Sequence, residues 1–521
     1  MESSCKVKES RTRNAALNAF SVTLNRVVGL LVPFVLRTII IKVMGEQYLG
    51  LNNLFSSILQ VLSLADLGFS TAIVYSMYEP IVKGDEKQIC ALLYLYKIIY
   101  RIIGIAVLVT GIILLPFLPK LINGVYPQEI SIHVLYLMYL SNTVISYLFF
   151  ADRKSLLAAH QKSYFENNIN SICQFFFDVV KIVLLFLTKN YYFYVVFLPI
   201  TTLVSSTISG IYSYKVFPQY RARGQVSKQD KKEILKKVSA LSIQKFGNTI
   251  STSLDNIIVS SSIGLTAVAI YGNYFYIVSS LLSFLAGIIS SSTAGIGNSM
   301  ASQDMERNYV LFKKINMLNQ WMLVWSVPCL VVLYQHFMKM WVGESLMLGF
   351  SFVLCMVTYY YIAESRRVVQ VFKDAAGMWW EDKWKPLVGC IVNLVFNIVT
   401  VRYWGVYGVI LSTVISYLFI ELPWETIVLF KKYFKCKLMN YIKQSIQYLT
   451  VILLVTILSS ILCKYISIEG IIGFFVKGII AFFISNLIFV FTFRYTEEFK
   501  GLLEMIMKII PKWNAININK D

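Results

Sequence analysis

Long apolar runs separated by short polar stretches make up nearly the whole chain. A run of ~20 mostly apolar residues is what a helix needs to cross the hydrocarbon core of a bilayer. The pattern predicts such helices over about 15–42, 46–78, 88–118, 130–151, 163–187, 191–214, 238–262, 265–300, 309–335, 345–365, 386–401, 405–430, 444–463 and 470–493. The first run is too long, and followed by too many others, to be a cleaved signal peptide. The expected fold class is an all-α, polytopic membrane protein with about 14 transmembrane helices. An even count puts both termini on one side.

The polar stretches say which side. Of the 48 Lys and Arg residues, 35 fall in the termini and alternate connections of one side, counting Lys313 and Lys314 at the start of the run over 309–335. The other side carries six: Lys42, Lys120, Lys189, Lys339, Arg402 and Lys464. Basic residues are held on the cytoplasmic side, so both termini are expected in the cytoplasm. Charged residues are 15% of the chain, against about 25% in soluble domains. The net charge of +20 lies in short loops between apolar runs, so it belongs to this asymmetry and does not call for a nucleic-acid partner. The opposite connections are all short, which leaves no room for an outer catalytic domain. The largest basic stretch, YRARGQVSKQDKKEILKK (220–237), divides the chain near its middle. The tail TEEFKGLLEMIMKIIPKW alternates apolar and charged positions at helical spacing, the pattern of an amphipathic helix on a membrane surface. GMWWEDKWKP (377–386) has the aromatic and lysine content of an interfacial anchor.

Chemistry-bearing motifs are few. The eight cysteines, at 5, 90, 173, 329, 355, 390, 436 and 463, show neither CxxC nor metal spacing. Most lie in apolar runs, where a free cysteine is a small hydrophobe. There is no GxxxxGK[ST] phosphate loop. His133, His160 and His336 are scattered over three regions. With no nucleophile–base constellation either, neither an enzyme nor a nucleotide-driven pump is expected, and no cofactor or metal is called for.

The two halves of the chain match weakly. At an offset of 219, Asn25-Arg26 falls on Gln244-Lys245 and Gly45 on Gly264. After a three-residue insertion, YLGLNN (48–53) falls on IYGNYF (270–275), pairing Gly50 with Gly272. Six spans per half give both halves the same orientation, a parallel repeat about an axis along the membrane normal. The expected organisation is an N-terminal lobe over 1–219, a basic linker over 220–237 and a C-terminal lobe over 238–433. Two extra spans follow over 434–495, then a tail over 496–521.

Several charges interrupt the apolar runs. Arg26 in span 1 and Lys245 in span 7 occupy repeat-equivalent places. Facing one cavity, they would suit an anionic ligand such as a diphosphate, since Arg offers a planar fork and Lys a point charge. Near an inner end, both could instead snorkel to the interface. Lys97 and Arg101, four apart, share one face of span 3 beside Tyr94 and Tyr100. They line a wet path or snorkel in the same way. Arg37, close to the outer end of span 1, suits snorkelling. Asp178 and Lys181 are spaced for an ion pair within span 5. Asp66, inside LSLADLGFSTAIVYS (62–76), and Asp255 are the acidic counterparts. Intramembrane carboxylates either pair with cations or carry a coupling ion, here H+ or Na+. Gly68 and Ser70 next to Asp66 also allow a local break in the helix.

The stretches GEQYLGLNNLFSSILQVLSLADLGFSTAIVYSMYEPIVKGDEKQI (45–89), ALLYLYKIIYRIIG (91–104), LPFLPKLI (115–122) and ADRKSLLAAHQKSY (151–164) together resemble the polysaccharide-transporter family. These are Wzx-type flippases of lipid-linked oligosaccharides, from the superfamily that also holds the lipid II flippase and the multidrug and toxin extruders. The resemblance is densest over 11–170. It implies two six-helix lobes plus two extra helices in a bacterial cytoplasmic membrane. It implies a cargo of undecaprenyl-diphosphate-linked oligosaccharide, flipped outward for capsule or O-antigen-type polysaccharide. It also implies a cationic central cavity, for which Arg26, Lys97, Arg101 and Lys245 are candidates by position. Asp66, Asp178 and Asp255 are candidates for ion coupling or charge balance. Membrane lipids, a polysaccharide polymerase and other glycan-assembly proteins are the partners that would follow. Sugars and a diphosphate cannot cross hydrocarbon unaided, because their polar groups would go unsatisfied. The alternative is an ion-coupled drug or metabolite antiporter of the extruder type. Those commonly have twelve spans, and the two extra spans and surplus of buried cations here favour an anionic lipid cargo.

Overall fold

The computed structural model describes residues 28–66, 68–378, 380–505 and 507. Every regular element among the described residues is a helix. The helices are α1 (28–43), α2 (Glu46–Leu62), α3 (Phe69–Lys83), α4 (Glu86–Leu114), α5 (Ile132–Leu148), α6 (Ala151–Ala159), α7 (Ser163–Thr188) and α8 (Tyr191–Val216). They continue with α9 (Lys228–Ser262), α10 (Leu265–Ser291), α11 (Thr293–Ser302), α12 (Met305–Val342), α13 (Phe350–Ser365) and α14 (Arg367–Ala375). Then come α15 (Lys385–Trp404), α16 (Val406–Ser416), α17 (Leu422–Val428), α18 (Leu438–Lys464), α19 (Gly470–Phe493) and α20 (497–505).

Among the described residues, nine helices are long and apolar enough to cross a membrane, and a bent pair, α5 with α6, makes ten. The other expected spans fall on shorter or more polar helix. The run over 46–78 is interrupted: a 3-10 turn, Ser63–Asp66, separates α2 from α3. Gly68 follows with φ 88°, a left-handed conformation that glycine takes without steric cost. The bend between α5 and α6 is 53°. α13 has 16 residues. α9 has 35, because its first turns are the charged half of the basic stretch 220–237.

Polar residues set the helix starts. Asp85 caps α4 by accepting from the Gln88 N–H at 3.0 Å, and Asn190 caps α8 through the Tyr192 N–H at 2.9 Å. Ser227 caps α9 through the Asp230 N–H at 3.0 Å. Each satisfies a donor that the helix itself leaves open.

The chain divides into two compact units, 1–272 with 397–406, and 273–396 with 407–521. In the first, α2 packs on α5 and α9, α5 on α4 and α8, and α7 on α8. Leu49, Leu51, Leu54 and Phe55 of α2, Leu93 of α4 and Leu135, Tyr136 and Leu140 of α5 form its buried centre. Gly50 lies so close to the Leu265 backbone that any Cβ would collide with it, and a Cβ on Gly272 would meet the Asn53 side chain. Gly50 and Gly272 therefore both sit where helices approach closely. In the second unit, α12 packs on α13, α18 and α19. Side-chain hydrogen bonds tie these helices: Trp321 to Asn486 at 2.8 Å, Tyr360 to Ser326 at 2.8 Å and Asn319 to the Glu364 carbonyl at 3.0 Å. Between apolar helices in lipid, such bonds supply association that the hydrophobic effect does not. Leu453, Ile457 and Ile461 of α18 and Ile472, Phe483 and Leu487 of α19 point outward and are exposed, which suits a lipid surrounding.

The described part of the tail does more than float on an interface. Phe499 and Leu502 of α20 are buried, and Phe499 packs against Trp321 and Phe489. The remainder of the tail lies outside the described residues.

Candidate functional site

The helix break in the first unit places Asp66. Its carboxylate accepts a hydrogen bond from the Tyr100 hydroxyl on α4. The Tyr100 ring stacks on Tyr96, with centroids 4.1 Å apart and planes 9° apart. Tyr96 donates in turn to Ser70 of α3 at 3.2 Å. Asp66 thus stands at the end of a helix rather than within one, in a tyrosine-rich cluster joining α3 and α4.

Lys97 and Arg101 lie one and five residues beyond Tyr96. Lys97 is half-buried; Arg101 is exposed on a face shared with Ile98, Ile102 and Ile105. Neither has an ion-pair partner among the described residues. Both stand within electrostatic reach of Asp152 on α6. Its neighbour Arg153 is fully buried, lies over the Tyr214 ring at 3.7 Å and donates to the Tyr220 carbonyl at 2.6 Å. Arg26 lies outside the described residues. Lys245 is in α9, and its side chain lies outside them as well.

Asp255, on α9, is buried. It accepts from the Asn397 amide of α15 at 2.7 Å and from the Tyr271 hydroxyl of α10 at 3.1 Å. Both donors are neutral, and no cation pairs with Asp255 among the described residues. A carboxylate so placed is held most cheaply with a proton or a bound cation. Its helix is fixed by bonds from Asn256 to Ser57 at 2.9 Å and from Ser253 to Gln60 at 3.1 Å. Asp178 and Lys181 form a buried ion pair within α7, and the Lys181 ammonium lies 5.3 Å from the Tyr194 ring centroid. Arg37 donates to Asn53 of α2 at 3.3 Å, so it is used inside the unit rather than reaching only to the interface.

The second unit holds a charge cluster that the sequence reading missed. Arg366 forms ion pairs with Glu421 and, at 3.0 Å, with Glu425. Lys385 pairs with Glu425 and with Asp382 at 3.4 Å, and Lys373 pairs with Asp382. All six are buried. Gln370 donates to Glu425 at 3.0 Å, and the Arg366 guanidinium lies 4.2 Å from the Tyr417 ring centroid. Three buried acids face three buried bases, and the half-exposed Asp374 also reaches Lys373 at 3.2 Å. Glu421 ends one π-turn, Tyr417–Glu421, and Glu425 lies between it and a second, Leu429–Phe434; such bulges occur often at functional sites. The sequence signal was present: Glu421 and Glu425 stand four apart inside an apolar run. Asp382 lies in GMWWEDKWKP, so that stretch does two jobs. Trp380 and Trp384 are exposed, with Lys383 3.4 Å from the Trp380 centroid, while Asp382 points into the network.

The chain shares its fold with transporters of the MOP superfamily. A lipid II flippase, MurJ, in an inward closed conformation superposes with a TM-score of 0.66 at 15% identity, over 91% of this chain and 98% of that one. An inward-facing multidrug resistance MATE transporter of the MOP superfamily matches with a TM-score of 0.59 at 15% identity, over 75% and 91%. A mutant of the Vibrio cholerae MATE transporter VcmN matches with a TM-score of 0.51 at 14% identity, over 82% and 100%. The fold so defined is the many-helix, membrane-spanning one of those proteins. A family model described as polysaccharide biosynthesis protein matches residues 15–294, and the chain belongs to that family. No curated protein matches the sequence.

Proposed function

We propose that the protein is a flippase that moves undecaprenyl-diphosphate-linked oligosaccharide units from the inner to the outer leaflet of a bacterial cytoplasmic membrane. The observation that carries this reading is the family match combined with a fold shared, over nearly the whole chain, with a lipid II flippase. The product serves capsule or O-antigen-type polysaccharide, with a polymerase and other glycan-assembly proteins downstream. The basic loops and both termini face the cytoplasm. Two six-helix lobes, 1–219 and 238–433, alternate access, and the spans over 434–495 stand outside them.

Arg26, Lys97, Arg101 and Lys245 hold the diphosphate, while the sugars occupy water and the polyprenyl tail stays in lipid. Lys97 and Arg101 support this part, since neither forms an ion pair among the described residues and both lie on a tyrosine-bearing helix. Asp66 balances that charge through its tyrosine cluster, and Asp178 balances Lys181. Asp255 carries the coupling H+ or Na+. An ion-coupled antiporter of drugs or metabolites is the second reading, favoured by the fold shared with the multidrug transporter.

Reconstituted liposomes carrying a fluorescent undecaprenyl-diphosphate oligosaccharide separate the two. The flippase reading expects the sugar to become accessible to an impermeant quencher only when the protein is present. Lys97→Gln with Arg101→Gln should slow this roughly tenfold or more, the loss expected for charge-assisted bonds to a phosphate. Transport of a small cationic drug with no movement of the glycolipid would establish the antiporter instead.

A further inference from the structure

A polar groove of about 470 Å³ opens in the second unit where α12, α18, the end of α19 and the start of α20 meet. Its walls carry Tyr309 and Lys313 from α12, Asn440, Lys443 and Gln447 from α18, and Glu498 from α20. The groove sits at the first turns of α12 and α18 and the last turn of α19, so it lies at the basic end of these helices. Lys431, Lys432, Lys435 and Lys437 precede it along the chain. Met439, Ile442 and Ile446, on the same first turns of α18, are exposed and apolar. The groove therefore borders a surface made for lipid chains.

Its charge is unbalanced. Lys313 is taken by Glu498 at 3.2 Å. The side chains of Lys443, Asn440 and Gln447 make no hydrogen bond or ion pair among the described residues, and each is an exposed donor. One free ammonium flanked by two amides and a second ammonium held by a displaceable carboxylate is a donor set for a phosphate. A cavity of this size accommodates a headgroup.

We propose that this groove binds the phosphate headgroup of an anionic membrane lipid, which staples α20 to α12 and α18. Lys443 makes the primary contact, the amides of Asn440 and Gln447 take further phosphate oxygens, and Lys313 joins when Glu498 yields. The lipid chains lie along Ile442 and Ile446. None of its residues is among the cations assigned to the cargo, and its occupancy does not depend on what the protein transports.

The test uses the full-length protein in detergent, titrated with fluorescent phosphatidylglycerol or phosphatidylcholine. Phosphatidylglycerol is expected to bind more tightly than phosphatidylcholine. Lys443→Gln should weaken it about fivefold, the factor that one lysine near an anionic lipid surface supplies. Glu498→Gln should tighten it, because it frees Lys313 and removes a like charge. That opposite sign keeps the test informative if one variant folds poorly. Equal binding of the two lipids, or variants that bind as the parent does, would overturn the proposal. Glycerol phosphate binding as tightly as the lipid would also overturn it, by showing that the groove takes a soluble phosphate ester.

Discussion

Two residues show how differently buried titratable groups are handled in this chain. Asp255 receives two hydrogen bonds from neutral groups and forms no ion pair among the described residues, and intramembrane carboxylates in transporters serve in ion relays as well as in static pairs. If it carries the coupling ion, Asp255→Asn should leave the fold intact, because an amide keeps the side chain's shape. Transport should then lose its response to an imposed H+ or Na+ gradient. Unchanged gradient dependence, measured in liposomes, would assign Asp255 a static role. His160, in the connection between α6 and α7, is closed instead. Its ring stacks on Phe217 with centroids 4.2 Å apart, and burial, aided by the nearby Lys162 charge, holds its pKa down to about 4 from an ordinary 6.5. The unfolded chain therefore binds the proton first as pH falls. Stability contributed by neutral His160 is full above about pH 6.5 and is lost toward pH 4. His160→Phe should flatten that part of the pH dependence of thermal unfolding.

Elements record what the apolar pattern could and could not reveal. The runs located the helices, since a continuous apolar stretch in lipid has no low-cost alternative to a helix. The pattern did not show where a run breaks. Gly68 and the Asp66 turn divide one run in two, and the only hint was the pairing of a carboxylate with a neighbouring glycine. The charge network of α13 to α17 was hidden for another reason. Its members are spread from Lys373 through Lys385 to Glu425, and nothing local says that Arg366 meets Glu421. Only the four-residue spacing of the two glutamates within an apolar run pointed to it. Glu425→Gln leaves Arg366 and Lys385 sharing one fewer buried counter-charge, and breaking such a pair costs roughly 3–5 kcal/mol. A marked fall in thermal unfolding temperature is expected. Glu79→Gln, which breaks the exposed Lys83–Glu79 pair at 2.6 Å, should leave that temperature unchanged.

At the scale of the whole molecule, hydropathy and basic-loop asymmetry defined a many-span protein, and the quoted stretches over 45–164 fall inside the matched family region. The cargo was not legible, because cationic side chains report an anion and not the sugar attached to it. Two of the four proposed cargo cations, Arg26 and Lys245, rest on the weak internal repeat alone. The central claim is that polysaccharide precursors cross the membrane through this chain. The most direct test depletes the protein in its host, extracts lipid-linked oligosaccharides and probes their leaflet with an impermeant glycosidase. The account predicts full-length units accumulating on the inner leaflet, shielded from the enzyme, while surface glycan falls. Unchanged lipid intermediates and unchanged surface glycan would contradict it.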